Sequence, residues 1–268
     1  MKLQDKIAIV TGGGTGIGKA ISLAFADEGA VVVVAARNLS RLEEVAGQIK
    51  AKGGKAKVIQ TDISNHEQIR QMVAKTIEEF GQIDVLVNNA ARGTFNNADV
   101  VDMSLDEWRD SLAINLTGAM LCSREVLKYM IPRRSGNIVN VSSVAGISGV
   151  PKESPYSASK WGLIGFTETL AIEVGKYNIR VNCISPGATR TQEFEDWVKT
   201  AAKDAGISYE EVMSKLTDNN ALRRIAETEE IAACIVFLAS DDSSAMTGHN
   251  LVASCGFHIT HPNMIHWV

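Results

Sequence analysis

The feature that most constrains this chain is a glycine-rich run, Thr11-Gly12-Gly13-Gly14-Thr15-Gly16-Ile17-Gly18. It lies between a short β-branched segment, residues 7–10, and a segment of helical period, residues 20–28. Strand, glycine turn and helix in that order open a βαβ unit. The pattern then repeats. Residues 31–35, 58–60, 85–87, 138–141 and 181–184 are continuous apolar runs, which suit strands buried on both faces of a parallel sheet. Residues 41–51, 68–80, 105–129, 158–175 and 229–238 carry helical periodicity. No Pro- or Ser-rich linker interrupts the alternation. The expected fold is therefore α/β and doubly wound, with a mostly parallel sheet flanked by helices in a single domain, 1–268.

One stretch breaks the rhythm. Residues 189–226 are polar and charged and hold two helical patterns, 194–205 and 209–216. Long connections of this kind are usually lids. With Phe194, Trp197, Val198, Val212, Met213 and Leu216 it has apolar surface with which to cover a ligand. A substrate lid is expected there.

The remaining composition excludes several classes. The net charge of −4 over 268 residues leaves no basic footprint, so nucleic acid is not an expected partner. Four cysteines (Cys122, Cys183, Cys234, Cys255) show no paired spacing, which reads as free thiols in a reducing compartment. The first apolar run is too short for a secretory signal, and no later run reaches about 18 unbroken apolar residues. A soluble, cytoplasmic protein is expected.

Glycines in the first turn let the backbone approach a pyrophosphate, and the helix N-terminus behind them offers N–H donors and partial positive charge. Gly12, Gly14, Thr15, Gly16, Ile17 and Gly18 are thus candidate dinucleotide contacts. An NAD site expects an acid about 20 residues on, at the end of the second strand. This chain has Ala35-Ala36-Arg37-Asn38 there, with Arg41 one helical turn later. A guanidinium can pair with a 2′-phosphate, so NADP is favoured over NAD.

Farther along, Tyr156 and Lys160 are spaced i, i+4 and share one helix face. A free phenol, with a pKa near 10, is a poor acid–base group at neutral pH, and an adjacent ammonium is expected to lower it. Ser142 and Ser143 follow the strand at 138–141, at the carboxyl edge where open α/β sheets bind ligands.

Taken in order, Thr11–Gly18, Asp62-Ile63, Asn88-Asn89-Ala90, Asn115, Ser143, Tyr156-x-x-x-Lys160 and Pro186-Gly187 resemble the short-chain dehydrogenase/reductases over nearly the whole chain. The resemblance implies a catalytic set of Asn115, Ser143, Tyr156 and Lys160. Ser143 is preferred to Ser142 because it precedes Tyr156 by the family's thirteen residues. It would bond the substrate oxygen as negative charge develops there. Lys160 would also hold the nicotinamide ribose, and Asn115 a water linking Lys160 to solvent. Further cofactor contacts are implied at Arg37, Asn38, Asp62, Ile63, Asn88, Ala90, Pro186, Gly187, Thr189 and Thr191. The family usually carries glycine in place of Ala91, and the usual Asp-Gly-Gly near the end becomes Ser254-Cys255-Gly256. The tail, with His258, His261, His266 and Trp267, has no helical H-x-x-x-H spacing and no nearby acid, so no metal is expected. The family commonly forms tetramers, and the tail is expected to pack on a neighbouring subunit.

The leading expectation is an NADP(H)-dependent oxidoreductase that interconverts a ketone or aldehyde and a secondary alcohol. Hydride would pass from C4 of NADPH, and the proton from Tyr156. Phe95, Val150, Phe194 and Trp197 are candidate substrate-lining residues beside Ser143 and Tyr156. A 3-oxoacyl thioester reductase is one subclass; its acidic carrier would want a basic patch, for which Arg92, Arg133 and Arg134 are candidates. An NAD-dependent alcohol dehydrogenase and a non-catalytic dinucleotide-binding module are the other readings.

Overall fold

The computed structural model describes residues 1–93 and 98–259. Seven parallel strands form one sheet: β1 (Ile7–Thr11), β2 (Val31–Ala36), β3 (Lys55–Gln60), β4 (Val85–Asn88), β5 (Gly136–Val141), β6 (Ile179–Pro186) and β9 (Asn250–Ala253). Their spatial order is β3-β2-β1-β4-β5-β6-β9. Between them run α1 (Gly16–Asp27), α2 (Leu39–Ala51), α3 (His66–Phe80), α4 (Leu105–Leu112), α5 (Ala119–Arg133), α6 (Ser154–Gly175) and α9 (Thr228–Ala239). The expected doubly wound single domain is what the chain forms.

The continuous apolar runs divide by strand alternation. Ala8, Val10, Val32, Val34, Val85 and Val87 pack with Ile21, Phe25, Leu42 and Ile235 on one face. Ile9, Val33, Leu86, Ile138 and Val181 pack with Ile69, Met72, Val126 and Met130 on the other. Burial on both faces explains why these strands lack polar residues at every second place. The edge strand β3 differs: Lys55 is exposed and Lys57 partly so, a charge pattern that discourages pairing with another sheet.

Strand β1 pairs with β2 on one side and β4 on the other. The chain reverses its direction of winding at that point, and a crevice opens above the carboxyl ends of the strands. Two buried links hold its floor. Thr11 Oγ1 donates to the Val87 carbonyl at 3.2 Å and accepts from the Asn89 and Ala90 amides at 3.0 and 3.1 Å. Asn89 Nδ2 returns a bond to the Thr11 carbonyl at 2.9 Å.

The helix expected over 105–129 runs on to Arg133, but as α4, a wide π-helical segment (Ala113–Gly118) and α5. The segment 189–226 is bracketed by a two-stranded parallel ribbon, β7 (Thr189–Arg190) with β8 (Ala226–Glu227). It contains α7 (Gln192–Ala205) and α8 (Tyr209–Thr217).

Candidate active site

The crevice is walled by two adjoining cavities that share Ile17, Asn89, Ala91 and Thr191. The larger, about 530 Å³, runs along the glycine turn to the ends of β2 and β3. The smaller, about 240 Å³, lies between Ser143, Tyr156, Lys160, Pro186 and Gly187.

In the larger cavity the first turn is shaped by two glycines. Gly12 adopts φ +66°, and a Cβ on Gly18 would stand 2.1 Å from the Gly12 carbonyl oxygen. The turn cannot close with any other residue at 18. Helix α1 begins here with no side-chain cap from Thr15 and no acid in its first turn. By contrast α2, α3, α7 and α8 are capped by Asn38, Asn65, Thr191 and Ser208. The open N–H groups and helix dipole of α1 therefore fit the pyrophosphate of a dinucleotide. Gly12, Thr15, Gly16, Ile17, Gly18, Arg37, Asp62, Ile63, Ala90 and Thr191 all line this cavity. Arg37 is exposed at the end of β2, where no carboxylate stands.

Three of the expected cofactor contacts lie elsewhere. Gly14 faces Leu42 and Arg41 on α2. Asn38 spends its side chain capping α2, accepting from the Arg41 amide at 3.2 Å. Asn88 is buried beneath the crevice and donates to Asn140 Oδ1 at 2.9 Å and Ser123 Oγ at 3.1 Å. Its neighbour Asn89 borders the crevice instead. Strand alternation from the buried Val87 was the signal that separates the two asparagines. Thr11, Asn89 and Glu193 are site residues that the sequence reading did not single out.

In the smaller cavity, β5 and α6 bring Ser143, Tyr156 and Lys160 together, with Pro186, Gly187 and Thr189 opposite. Ser142 Oγ is committed to the Lys160 carbonyl at 2.9 Å, whereas Ser143 opens a short turn and faces the phenol. Lys160 is 2% exposed; its Nζ donates to the Val141 carbonyl at 2.8 Å and stands 5.5 Å from the Tyr156 ring centre. Burial pushes the Lys160 pKa down to about 8. The expected lowering of the tyrosine does not appear: desolvation raises the Tyr156 pKa, Ser143 opposes it, and the Glu153 carboxylate raises it further. The physical reason is that Lys160 itself is desolvated and turned toward Val141.

Asn115 is 1% exposed in the π-helical segment, a widened turn frequent at functional sites. Its side chain clamps the Arg92 backbone, accepting from the amide at 2.7 Å and donating to the carbonyl at 3.0 Å. It also donates to Ser159 Oγ at 3.0 Å, one residue before Lys160.

The expected apolar substrate wall is not built as expected. Phe194 stacks obliquely on Trp197, centroids 5.9 Å apart, and packs with Val198, Ala202 and Val212 in a small core internal to α7 and α8. Phe194 is taken up by the helix pair itself, Trp197 is half exposed on α7, and neither aromatic lines the cavity beside Tyr156. Val150 is half-buried but not in the cavity wall, and Phe95 lies outside the described residues, as do His261, His266 and Trp267. His258 pairs with Ser254 at 2.8 Å. The basic patch also dissolves. Arg133 pairs with Asp84, just before β4, and Arg134 with the Lys176 carbonyl, at the opposite end of the sheet from Arg92.

Residues 6–202 match the family model for short chain dehydrogenase. The chain belongs to the short-chain dehydrogenase/reductase family and is an oxidoreductase of CH–OH and carbonyl groups that uses a nicotinamide dinucleotide. It is 39% identical, over 92% of its length and 96% of the relative's, to a 3-oxoacyl-[acyl-carrier-protein] reductase of Thermotoga maritima. The L-sorbose reductase of Gluconobacter frateurii, solved with NADPH and L-sorbose, superposes with a TM-score of 0.92 at 32% identity, covering 97% of this chain and 100% of that one. A xylitol dehydrogenase solved with NAD⁺ superposes with a TM-score of 0.87 at 36% identity, covering 94% and 98%.

Proposed function

We propose that this protein is an NADP(H)-dependent carbonyl reductase and secondary-alcohol dehydrogenase with Tyr156 as its general acid–base. The observation that carries the reading is the convergence of Ser143, Tyr156 and Lys160 on one small cavity that adjoins the glycine-turn cleft. A bound reduced nicotinamide supplies hydride to the carbonyl carbon. Tyr156 gives its proton to the oxygen, and Ser143 hydrogen-bonds that oxygen as charge develops. A phenol with a raised pKa holds its proton at neutral pH, which suits the reductive direction. Lys160 places positive charge beneath the tyrosine. Asn115 keeps the Arg92 loop and Ser159 in register behind it. Ser143 and Tyr156 are the substrate contacts supported here, and the α7–α8 pair over 189–226 is the lid. Asn88 and Asn38 act behind the cofactor wall rather than on it.

Arg37 supports NADP: it lines the cleft at the end of β2, with no acid to bind a ribose 2′-OH. Replacing Arg37 by Ala is expected to weaken NADPH binding roughly tenfold or more and leave NADH within about threefold. An equal effect on both removes Arg37 from the reading. The activity itself is tested by following NADPH oxidation against a panel of ketones, ketoses and a 3-oxoacyl thioester; no turnover of any carbonyl overturns it.

We place the protein in the cytoplasm, with support from four free cysteines, two of them buried. No helix among the described residues is long and apolar enough to cross a membrane. A homotetramer is the proposed assembly. Its support is a pair of exposed apolar side chains on α6, Trp161 at 52% and Ile172 at 83% accessible, three helical turns apart.

A further inference from the structure

The first turn of α7 is seated on the glycine turn. A methyl group placed on Gly16 would lie 3.3 Å from Thr191 Cγ2 and 3.8 Å from Glu193 Oε2. Glu193 is exposed, lines the cleft with Gly12, Thr15, Gly16, Ile17 and Gly18, and has no hydrogen-bond or ion-pair partner among the described residues. Two residues on, Glu195 is held by Arg190 and Tyr209. The free carboxylate thus stands at the uncapped start of α1, where the helix dipole favours an anion. The same donors are those that fit a dinucleotide pyrophosphate.

On the reading that this cleft takes a nicotinamide dinucleotide, we propose that Glu193 is an electrostatic brake on cofactor binding. Its carboxylate competes with the pyrophosphate for the α1 N-terminus and repels it once bound. The charge holds affinity below what the cleft would otherwise reach and hastens departure of the oxidised cofactor. Release of products limits turnover in many enzymes, so such a brake has a direct use. The side chain carries no hydrogen bond or ion pair among the described residues, and Glu195 keeps an acid in the first turn of α7, so Glu193→Gln is expected to fold.

The test is a titration of the full-length protein with NADPH, read by nicotinamide fluorescence, for wild type, Glu193→Gln and Asp196→Asn. Asp196 is an exposed acid on the same helix but outside the cleft, so its variant matches the change in net charge. At low salt Glu193→Gln is expected to bind about three- to tenfold tighter, with slower release of NADP⁺ by stopped flow. Asp196→Asn is expected to stay within about twofold, and the gain should shrink at 0.5 M salt. Unchanged or weaker binding by Glu193→Gln, or an equal gain in Asp196→Asn, overturns the proposal while leaving the cofactor reading in place. If wild type binds neither NADPH nor NADH, both fall.

Discussion

The ammonium of Lys160 lies 5.5 Å from the centre of the Tyr156 ring, yet it donates its hydrogen bond to the Val141 carbonyl, 2.8 Å away. The pair is therefore coupled through space and through the end of β5, not by a direct bond. Both groups are desolvated, and their pKa values move in opposite senses: Tyr156 rises away from neutrality, and Lys160 falls toward it, to about 8.

This has a consequence for stability. The native state loses the Lys160 proton near pH 8, while the unfolded chain keeps it to the ordinary lysine value of 10.5. The unfolded state therefore binds more protons in that window, and stability rises with pH across it. Urea denaturation of wild type and Lys160→Met between pH 7.5 and 10 should show wild type gaining relative to the variant, by roughly 3 kcal/mol at most. A relative loss over the same range contradicts the burial assigned to the lysine.

Glu153, at the start of α6, is half-buried, and burial raises its own pKa. Its charge raises that of Tyr156. Glu153→Gln is expected to move the pH midpoint for alcohol oxidation to lower pH, because the phenolate then forms more readily. The pH profile of kcat/KM measures this. A midpoint displaced upward would show that Glu153 does not act on the tyrosine through its charge.

Arg190 stands between two cavity residues, Thr189 and Thr191. Its guanidinium reaches Glu195 on α7, Tyr209 on α8 and Glu227 on β8. Arg190→Lys keeps the charge but loses the planar fork. The expected result is faster limited proteolysis within 192–217 and a KM for the carbonyl raised about three- to tenfold, with a smaller change in kcat. Unaltered proteolysis and KM would show that Arg190 does not brace α7 and α8.

The fold was legible because buried parallel strands and a glycine turn leave strong local marks, as with Val31–Ala36 and Gly12–Gly18. Tyr156 and Lys160 were legible as one helix face from their i, i+4 spacing, whereas the choice of Ser143 as their partner came only from the family resemblance. Asn88 and Asn89 were not separated, although Asn88, the last residue of β4, is buried beneath the crevice and Asn89, just past the strand end, borders it. That Phe194 packs on α8 was not legible for a different reason. Apolar content shows that α7 buries something, but not that its partner is α8 rather than a ligand. The upward shift of Tyr156 comes first from desolvation, which no spacing reveals.

The central claim is that Tyr156 carries the proton, and Tyr156→Phe tests it most directly. The variant keeps the ring that packs beside Lys160 and removes only the hydroxyl. With a ketone that wild type reduces, kcat is expected to fall by about 10²- to 10⁴-fold while the Kd for NADPH stays within about threefold. A variant that binds NADPH and reduces the ketone within tenfold of the wild-type rate would contradict the claim.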